Sequence, residues 1–146
     1  MELKIKKVRE NAKIPTRGTE GSAGLDLYAC IDEPITLKKG EKALIPTGIA
    51  ISLENRELAA FVYARSGLAI KHGINLLNSV GVIDSDYRGE IQVGVINQLE
   101  EPYEIQPFER IAQLVIAPVF LPDIRVCEDL DDTQRGEGGF GSTGKK

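Results

Sequence analysis

Apolar and polar residues in this chain mostly follow the two-residue period of β-strands, and no helical stripe of 3.6-residue period is sustained. Leu3, Ile5 and Val8 start a loosely alternating N-terminal run. Thr19–Gly24 has turn chemistry and leads into the short apolar run Leu25–Ala29. Ala43–Leu53 is rich in β-branched residues and is interrupted by Pro46 and Gly48, which suits a bulge or an edge strand. Leu58–Tyr63, Ile74–Leu77, Glu90–Val95 and Ile111–Ala117 are further predicted strands, spaced by prolines at 34, 46, 102, 107, 118 and 122. Only Ser66–Lys71 reads as a short helix. Many short strands with turns every 8–12 residues or about that predict an all-β jelly-roll-like barrel or sandwich. The strand–helix alternation of a Rossmann sheet is absent.

Composition narrows the class. The chain has 146 residues, a normal length for one domain with a sizeable core, and 42% hydrophobic with 27% charged residues is ordinary globular content. No apolar run approaches a membrane span, and the N-terminal Met1–Lys4 opens no signal-peptide pattern, so no membrane partner and a cytoplasmic location are expected. The net charge of −4 argues against a basic coat and hence against a nucleic-acid partner. It leaves room for phosphate binding in a local pocket. Cys30 and Cys127 belong to no CxxC pair and read as reduced thiols. His72 is the only histidine; two cysteines and one histidine cannot close a zinc site without carboxylates, and His72 sits in a polar stretch ill suited to a Ser-His-Asp mechanism.

The C-terminal part departs from this pattern. Glu128–Asp132 is acidic, and Arg135–Gly144 holds five glycines in ten residues. Such a stretch cannot bury enough surface to order itself. The division expected is a body over residues 1–127 and a flexible Gly-rich arm over 128–146. The arm is equipped for more than a tail: one arginine, one aromatic, two hydroxyls and many free backbone amides.

Four segments carry candidate chemistry, and each has a plain structural reading beside it. Gly81–Glu90 leads from apolar residues into Asp84 and Asp86, then Tyr87 and Gly89; alone it is an Asp-rich turn, whereas beside a polyphosphate Asp84 could orient water as a general base. In Ala64–Ala69, Ser66 stands where a strand ends and a helix begins, and Arg65 adds a planar fork suited to phosphate oxygens. The bland alternative is a Ser N-cap; the segment is no nucleophile elbow. In Glu109–Leu114 alternation places Arg110, Ala112 and Leu114 on one strand face and Ile111 and Gln113 on the other. The Gly-rich arm matches neither a P-loop nor a dinucleotide fingerprint.

Taken together, these segments resemble the five ordered motifs of the trimeric dUTP pyrophosphatase (dUTPase) family: Ala23–Leu27, Arg65–Ala69, Gly81–Gly89, Arg110–Leu114 and Arg135–Gly144. One motif is weak evidence; five in order, over residues from about 15 to 144, are strong. Ala64 and Glu109 depart from residues common in the family without removing a contact. The resemblance implies a jelly-roll homotrimer with shared active sites that hydrolyses dUTP to dUMP and pyrophosphate with Mg²⁺, keeping uracil out of DNA and supplying dUMP for thymidylate synthesis. It further implies Asp84 as the general base that orients water for in-line attack on the α-phosphorus. By the same resemblance Tyr87 would pack under the deoxyribose and exclude a ribose 2′-hydroxyl. The stretch Ile74–Val82 forms a uracil-binding hairpin, with Asn78, Gly81, Val82 and Ile83 at the base and Phe140 stacking over it. The resemblance also implies that Arg65, Ser66, Gly67, Gln113, Arg110, Arg135, Gly141, Ser142 and Thr143 hold the phosphates and that Asp26 acts on the metal through water. Mg²⁺ suits such a scheme because it keeps its waters and is held largely by substrate phosphates.

Three rivals remain on the sequence alone. A dCTP deaminase would need a Glu beside the nucleobase and an Arg-Ser-Ser segment, where this chain has Arg65-Ser66-Gly67. A non-catalytic trimer on the same scaffold would be favoured by loss of Asp84 or of the arm, and both are present. An accidental match requires all the structural readings to hold at once, in the right order.

Overall fold

The computed structural model describes residues 2–139. Among them run β1 (Lys4–Lys7), β2 (Leu25–Tyr28), β3 (Ile35–Leu37), β4 (Lys42–Pro46), β5 (Ile49–Ser52) and β6 (Leu58–Ala64). The helix α1 (Ser66–His72) follows, then β7 (Ile74–Leu76), β8 (Gly81–Ile83), β9 (Gln92–Asn97), β10 (Tyr103–Ile105) and β11 (Arg110–Pro118). A four-stranded sheet has the order β2-β11-β6-β8, a three-stranded sheet the order β4-β9-β7, and β1 with β5 and β10 with β3 form two-stranded pairs. Every pairing is antiparallel. The result is the all-β, jelly-roll-like sandwich expected, with its one short helix.

Alternation explains how the sheets close on one core. In β9 the residues Val93, Val95 and Asn97 are buried while Gln92, Gly94 and Ile96 between them are not, the inward–outward pattern of a sheet with one wetted face. Leu27, Ile45, Ile49, Ile74, Ile105, Ile111 and Leu114 join Val93 and Val95 as fully buried side chains of a single cluster. Asn97 and Thr47 are the fully buried polar side chains beside it, and the amide of Asn97 is fully paired. Its Nδ2 donates to the carbonyls of Leu37 and Glu101, each at 2.8 Å, and its Oδ1 accepts the Leu99 amide at 2.9 Å, so its burial leaves no polar group unpaired.

Three local features differ from the linear pattern. Ala43–Leu53 is not one strand: it breaks into β4 and β5 at Thr47–Gly48, where Gly48 has φ 71°. A Cβ there would also meet the Ala12 Cβ at 2.6 Å and the Cys30 Sγ at 2.9 Å, so only glycine fits. Pro46 then closes β4, which pairs on one side only, as a proline in an edge strand should. The strands β3 and β10 have three residues each and pair with one another; runs so short carry too few positions for a period to show. Finally, β11 shifts register against β2 between Arg110 and Ala112. Ile111 and Ala112 are consequently buried in succession, and the strict alternation expected for Arg110–Leu114 does not hold. The bulge frees Arg110 from the core face and turns it toward solvent.

Candidate active site

The turn after β8 builds one wall of a cleft of about 440 Å³. Asp84 follows β8 directly, and the Tyr87 amide returns to the Asp84 carbonyl at 3.2 Å, so both side chains leave the same turn. Tyr87 donates its hydroxyl proton to the Glu90 carbonyl at 3.0 Å. A Cβ on Gly89 would run into that hydroxyl, so the glycine lets the ring lie flat against the backbone. Asn78, Gly81, Val82 and Ile83 line the same cleft. Gly81 packs closely on β6: a Cβ there would stand 3.1 Å from the Val62 Cβ. The corner between β7 and β8 is tight: Ser79 has φ 63°, and the Val80 amide reaches the Asn78 carbonyl at 2.7 Å. The two strands do not pair with one another, however; β7 joins β9 and β8 joins β6. Ile74–Val82 is thus a corner between two sheets.

A second cluster lies at the far end of β6. Asp26, buried in β2, accepts Arg65 Nε at 2.9 Å on one carboxylate oxygen and Arg110 Nη1 at 3.0 Å on the other. Gln113 faces Asp26 across the sheet and donates its side-chain amide to the Ala64 carbonyl at 3.0 Å. Gly24 makes room for it, since a Cβ there would stand 2.6 Å from the Gln113 Oε1. Arg65 is itself the N-cap position of α1, with φ −90° and ψ 126° and no side-chain capping bond; Ser66 is the first helical residue, and both Ser66 and Gly67 are exposed. The reading of Ser66 as a conventional N-cap therefore fails, because its backbone is already inside the helix. Two guanidiniums sharing one carboxylate leave a net positive charge, half-exposed and ready for an anion.

Past β11 the chain carries no helix or strand through residue 139. Arg135 turns back on itself, Nε donating to the Gly138 carbonyl at 2.7 Å. Phe140, Gly141, Ser142 and Thr143 lie outside the described residues.

Some residues around the cleft were not singled out by motif reading. Glu90, Gln92 and Gly94 line it from β9 and the segment before it, with Ile91, Val93, Leu76 and Val62 behind. Period-two alternation places 90, 92 and 94 on one face, a signal present in the sequence but silent about what that face lines.

The model of the family described as dUTPase matches residues 10–144. The chain belongs to the dUTPase family. A deoxyuridine 5′-triphosphate nucleotidohydrolase of Neisseria meningitidis is 53% identical over 144 residues, covering 99% of this chain and 96% of the relative. One of the same name from Paraburkholderia xenovorans is 50% identical over 145 residues, covering 99% and 98%. Among solved structures, a mutant dUTPase of Staphylococcus bacteriophage 80alpha with dUpNHpp superposes with a TM-score of 0.88 at 29% identity, covering 98% of each chain. A mutant dUTPase from phage phi11 of S. aureus, described with a structural Mg(II) ion, gives a TM-score of 0.80 at 25% identity, over 90% of this chain and all of that one.

The dUTPase family is one of hydrolases acting on a nucleoside triphosphate. A metal ion fits this donor set in one way. The described residues contain no group of three or more His, Cys, Asp or Glu side chains that could cage an ion. Asp26 uses one lone pair on each oxygen for an arginine, and a carboxylate offers about four such sites. It can therefore still accept hydrogen bonds from waters carried by an ion. That suits Mg²⁺, which dehydrates reluctantly and travels with phosphates. No helix among the described residues is long and apolar enough to cross a membrane.

Proposed function

We propose that this dUTPase-family chain hydrolyses dUTP to dUMP and pyrophosphate, with Asp84 as the general base. The observation that carries the reading is the joining of Asp84 and Tyr87 with Asn78, Gly81, Val82 and Ile83 around one cleft. The uracil lies against the corner 78–83, whose main-chain groups meet its Watson–Crick edge, while Tyr87 supports the deoxyribose. A base lacking the matching donors and acceptors would leave buried polar groups unpaired and be rejected. Asp84 takes a proton from water as the water oxygen bonds to the α-phosphorus and the bond to the bridging oxygen breaks in line, releasing pyrophosphate. Arg65, Ser66, Gly67, Arg110 and Gln113 hold the phosphate chain, and positioning with electrostatics supplies most of the rate. Asp26 would hold the waters of a Mg²⁺ bound with the triphosphate, which would supply neutralisation of charge on the phosphate oxygens. Removal of dUTP keeps uracil from being incorporated into DNA, and dUMP becomes available for thymidylate synthesis. The work belongs in the cytoplasm, where nucleotides are held, and needs neither a nucleic-acid nor a membrane partner.

Register supports an oligomer with shared sites. Ile83 pairs with Ala60 on β6, whereas Arg65 lies five residues further along, a separation of roughly 16 Å at the rise of a β-strand. Asp84 lies beyond Ile83, on the side away from Arg65. A water-activating base and the residues gripping the attacked phosphate must be only a few ångströms apart, so one copy's cleft is completed by another copy's Arg65–Asp26–Arg110 cluster. The segment after β11 leaves Phe120, Ile124, Val126 and Leu130 at least 88% exposed. Such a run of bare apolar side chains is suited to cover by neighbouring copies. A homotrimer meets both needs, with residues 1–127 as catalytic body. The arm, residues 128–146, closes over a neighbour's site and brings Arg135, Phe140, Gly141, Ser142 and Thr143 to the nucleotide.

The test is pyrophosphate release with Mg²⁺ from dUTP, dTTP, dCTP and UTP. Strong selectivity for dUTP is expected. Absence of release from every nucleotide would establish a non-catalytic binder, and loss of the 4-amino group from dCTP a deaminase.

A further inference from the structure

Behind the sugar floor of the cleft stands an ion pair with no place in the dUTPase motifs. Arg9 donates to Glu90 through both arms of its fork, Nε to Oε1 at 2.6 Å and Nη2 to Oε2 at 3.0 Å. The two residues are 81 positions apart, and Arg9 does not line the cleft. Glu90 is mostly buried and its carboxylate accepts two more donors, the Gly48 amide at 2.9 Å and Gln92 Nε2 at 3.5 Å. The carbonyl of this same residue receives the Tyr87 hydroxyl. Glu90 is therefore held by its side chain from one side and holds Tyr87 by its main chain on the other.

The parts around this clasp are tied down as well. The Gly48 carbonyl accepts the Val8 amide at 2.8 Å and the Arg9 amide at 3.4 Å. Thr47, almost wholly buried, donates its hydroxyl to the Ile91 carbonyl at 2.6 Å, and the Ile91 amide returns to the Ile49 carbonyl at 2.8 Å. The turn at 47–48 and Ile91, just before β9, form one stitched unit. Arg9 is its outer bolt, and the bidentate fork fixes angle as well as distance.

We propose that Arg9 is a positioning residue for sugar discrimination: through Glu90 it sets the height of the Tyr87 ring, and so the room left for a 2′-hydroxyl. This rests on the reading of Tyr87 as the deoxyribose floor. Without the fork, Glu90 relaxes toward solvent, the acceptor of the Tyr87 hydroxyl shifts, and a ribonucleotide is excluded less well. The chemistry is untouched, because Arg9 contacts neither phosphate nor water-activating carboxylate.

The experiment compares kcat/KM for dUTP and UTP in the parent, Arg9→Gln, Arg9→Lys, Glu90→Gln and Tyr87→Ala proteins, below every variant's melting temperature. Arg9→Gln and Glu90→Gln should lower the dUTP-to-UTP ratio by about tenfold, the scale on which a misfitted small group is discriminated, while kcat for dUTP changes far less. Arg9→Lys keeps the charge, loses the fork and should fall between. If Arg9→Gln does not fold, the lysine and Glu90→Gln variants decide the matter by the same ratio. An unchanged ratio in the folded Arg9 and Glu90 variants, alongside a collapsed ratio in Tyr87→Ala, overturns the role of Arg9 alone. No dUTP preference in the parent, or none lost in Tyr87→Ala, overturns the reading of the site itself.

Discussion

Asp84 leaves the strand β8 at the mouth of the cleft, in the same turn as Tyr87. Asn fits the same space, but one carboxylate oxygen becomes an NH₂ donor and the side chain cannot take a proton. Asp84→Asn should therefore bind dUTP nearly as the parent does and turn over roughly 100- to 10,000-fold more slowly, the range a positioned base contributes. Equilibrium binding of a non-hydrolysable analogue beside single-turnover rates separates the two effects; near-parental turnover would remove Asp84 as the base. Glu90 gives a pH dependence of stability. Its carboxyl is held below the usual carboxylate range, first by the Arg9 fork, with the Gly48 amide and Gln92 adding to it against the cost of burial. A depressed pKa contributes stability that is fully present above the unfolded value and is lost as pH falls through the folded one. Between about pH 6 and about pH 3 the denaturation midpoint of Glu90→Gln should fall less steeply than that of the parent, which urea titrations at each pH would measure. Tyr103 shows the opposite case: burial, then its hydrogen bond to Glu109, pushes its phenol up to about 12. It stays a donor across the range in which the protein works.

Elements depend on a few positions that fix where they stop. The helix α1 ends at Gly73, which has φ 68° and donates to the Ala69 carbonyl at 3.0 Å. An added Cβ would also stand 2.9 Å from the Leu99 amide nitrogen. Gly73→Ala should cost about 1–3 kcal/mol, from the left-handed conformation together with that collision, read as a lowered denaturation midpoint at unchanged slope. The arm behaves in the reverse way. No strand or helix extends past Pro118 among the described residues, and Glu128–Glu137 are exposed throughout, so the body owes it little. Deleting 135–146 should leave melting temperature and oligomeric state near those of the parent and remove most dUTP turnover. A truncated protein that fails to fold would make the arm part of the scaffold instead.

At the scale of the whole molecule the Asp84 cleft and the Arg65–Asp26–Arg110 cluster stand at opposite ends of β6. If each site is shared, a defect in one half can be complemented by a copy defective only in the other. Asp84→Asn and Arg65→Ala proteins, each nearly inactive, should recover activity on being unfolded together and refolded as mixed oligomers. In the proposed homotrimer, random mixing still generates sites with both intact halves. Recovery in a refolded mixture but not in a simple one supports sharing; no recovery, with mixed oligomers demonstrated by mass, would place a complete site within one copy.

Period-two alternation, proline spacing and the lack of a helical stripe were enough to identify an all-β fold, because side-chain burial in strands is written at adjacent positions. The extent of α1 was legible for the same local reason, as were the five motifs, whose residues are contiguous in the chain. The short strands β3, β8 and β10 were not, since three residues barely display a period and their pairing partners lie far away; β7, equally short, was read from its apolar run Ile74–Leu77. The separation of β7 from β8 into different sheets and the bulge that re-aims Arg110 also arise from pairing across the fold. So does the double grip of Arg65 and Arg110 on Asp26. The bond from Arg9 to Glu90 spans 81 positions, and nothing near either residue in the chain announces it. Local sequence determined which side chains could do chemistry; only long-range packing decided which of them meet, because a contact between distant positions is set by how the sheets close and not by any run of neighbours.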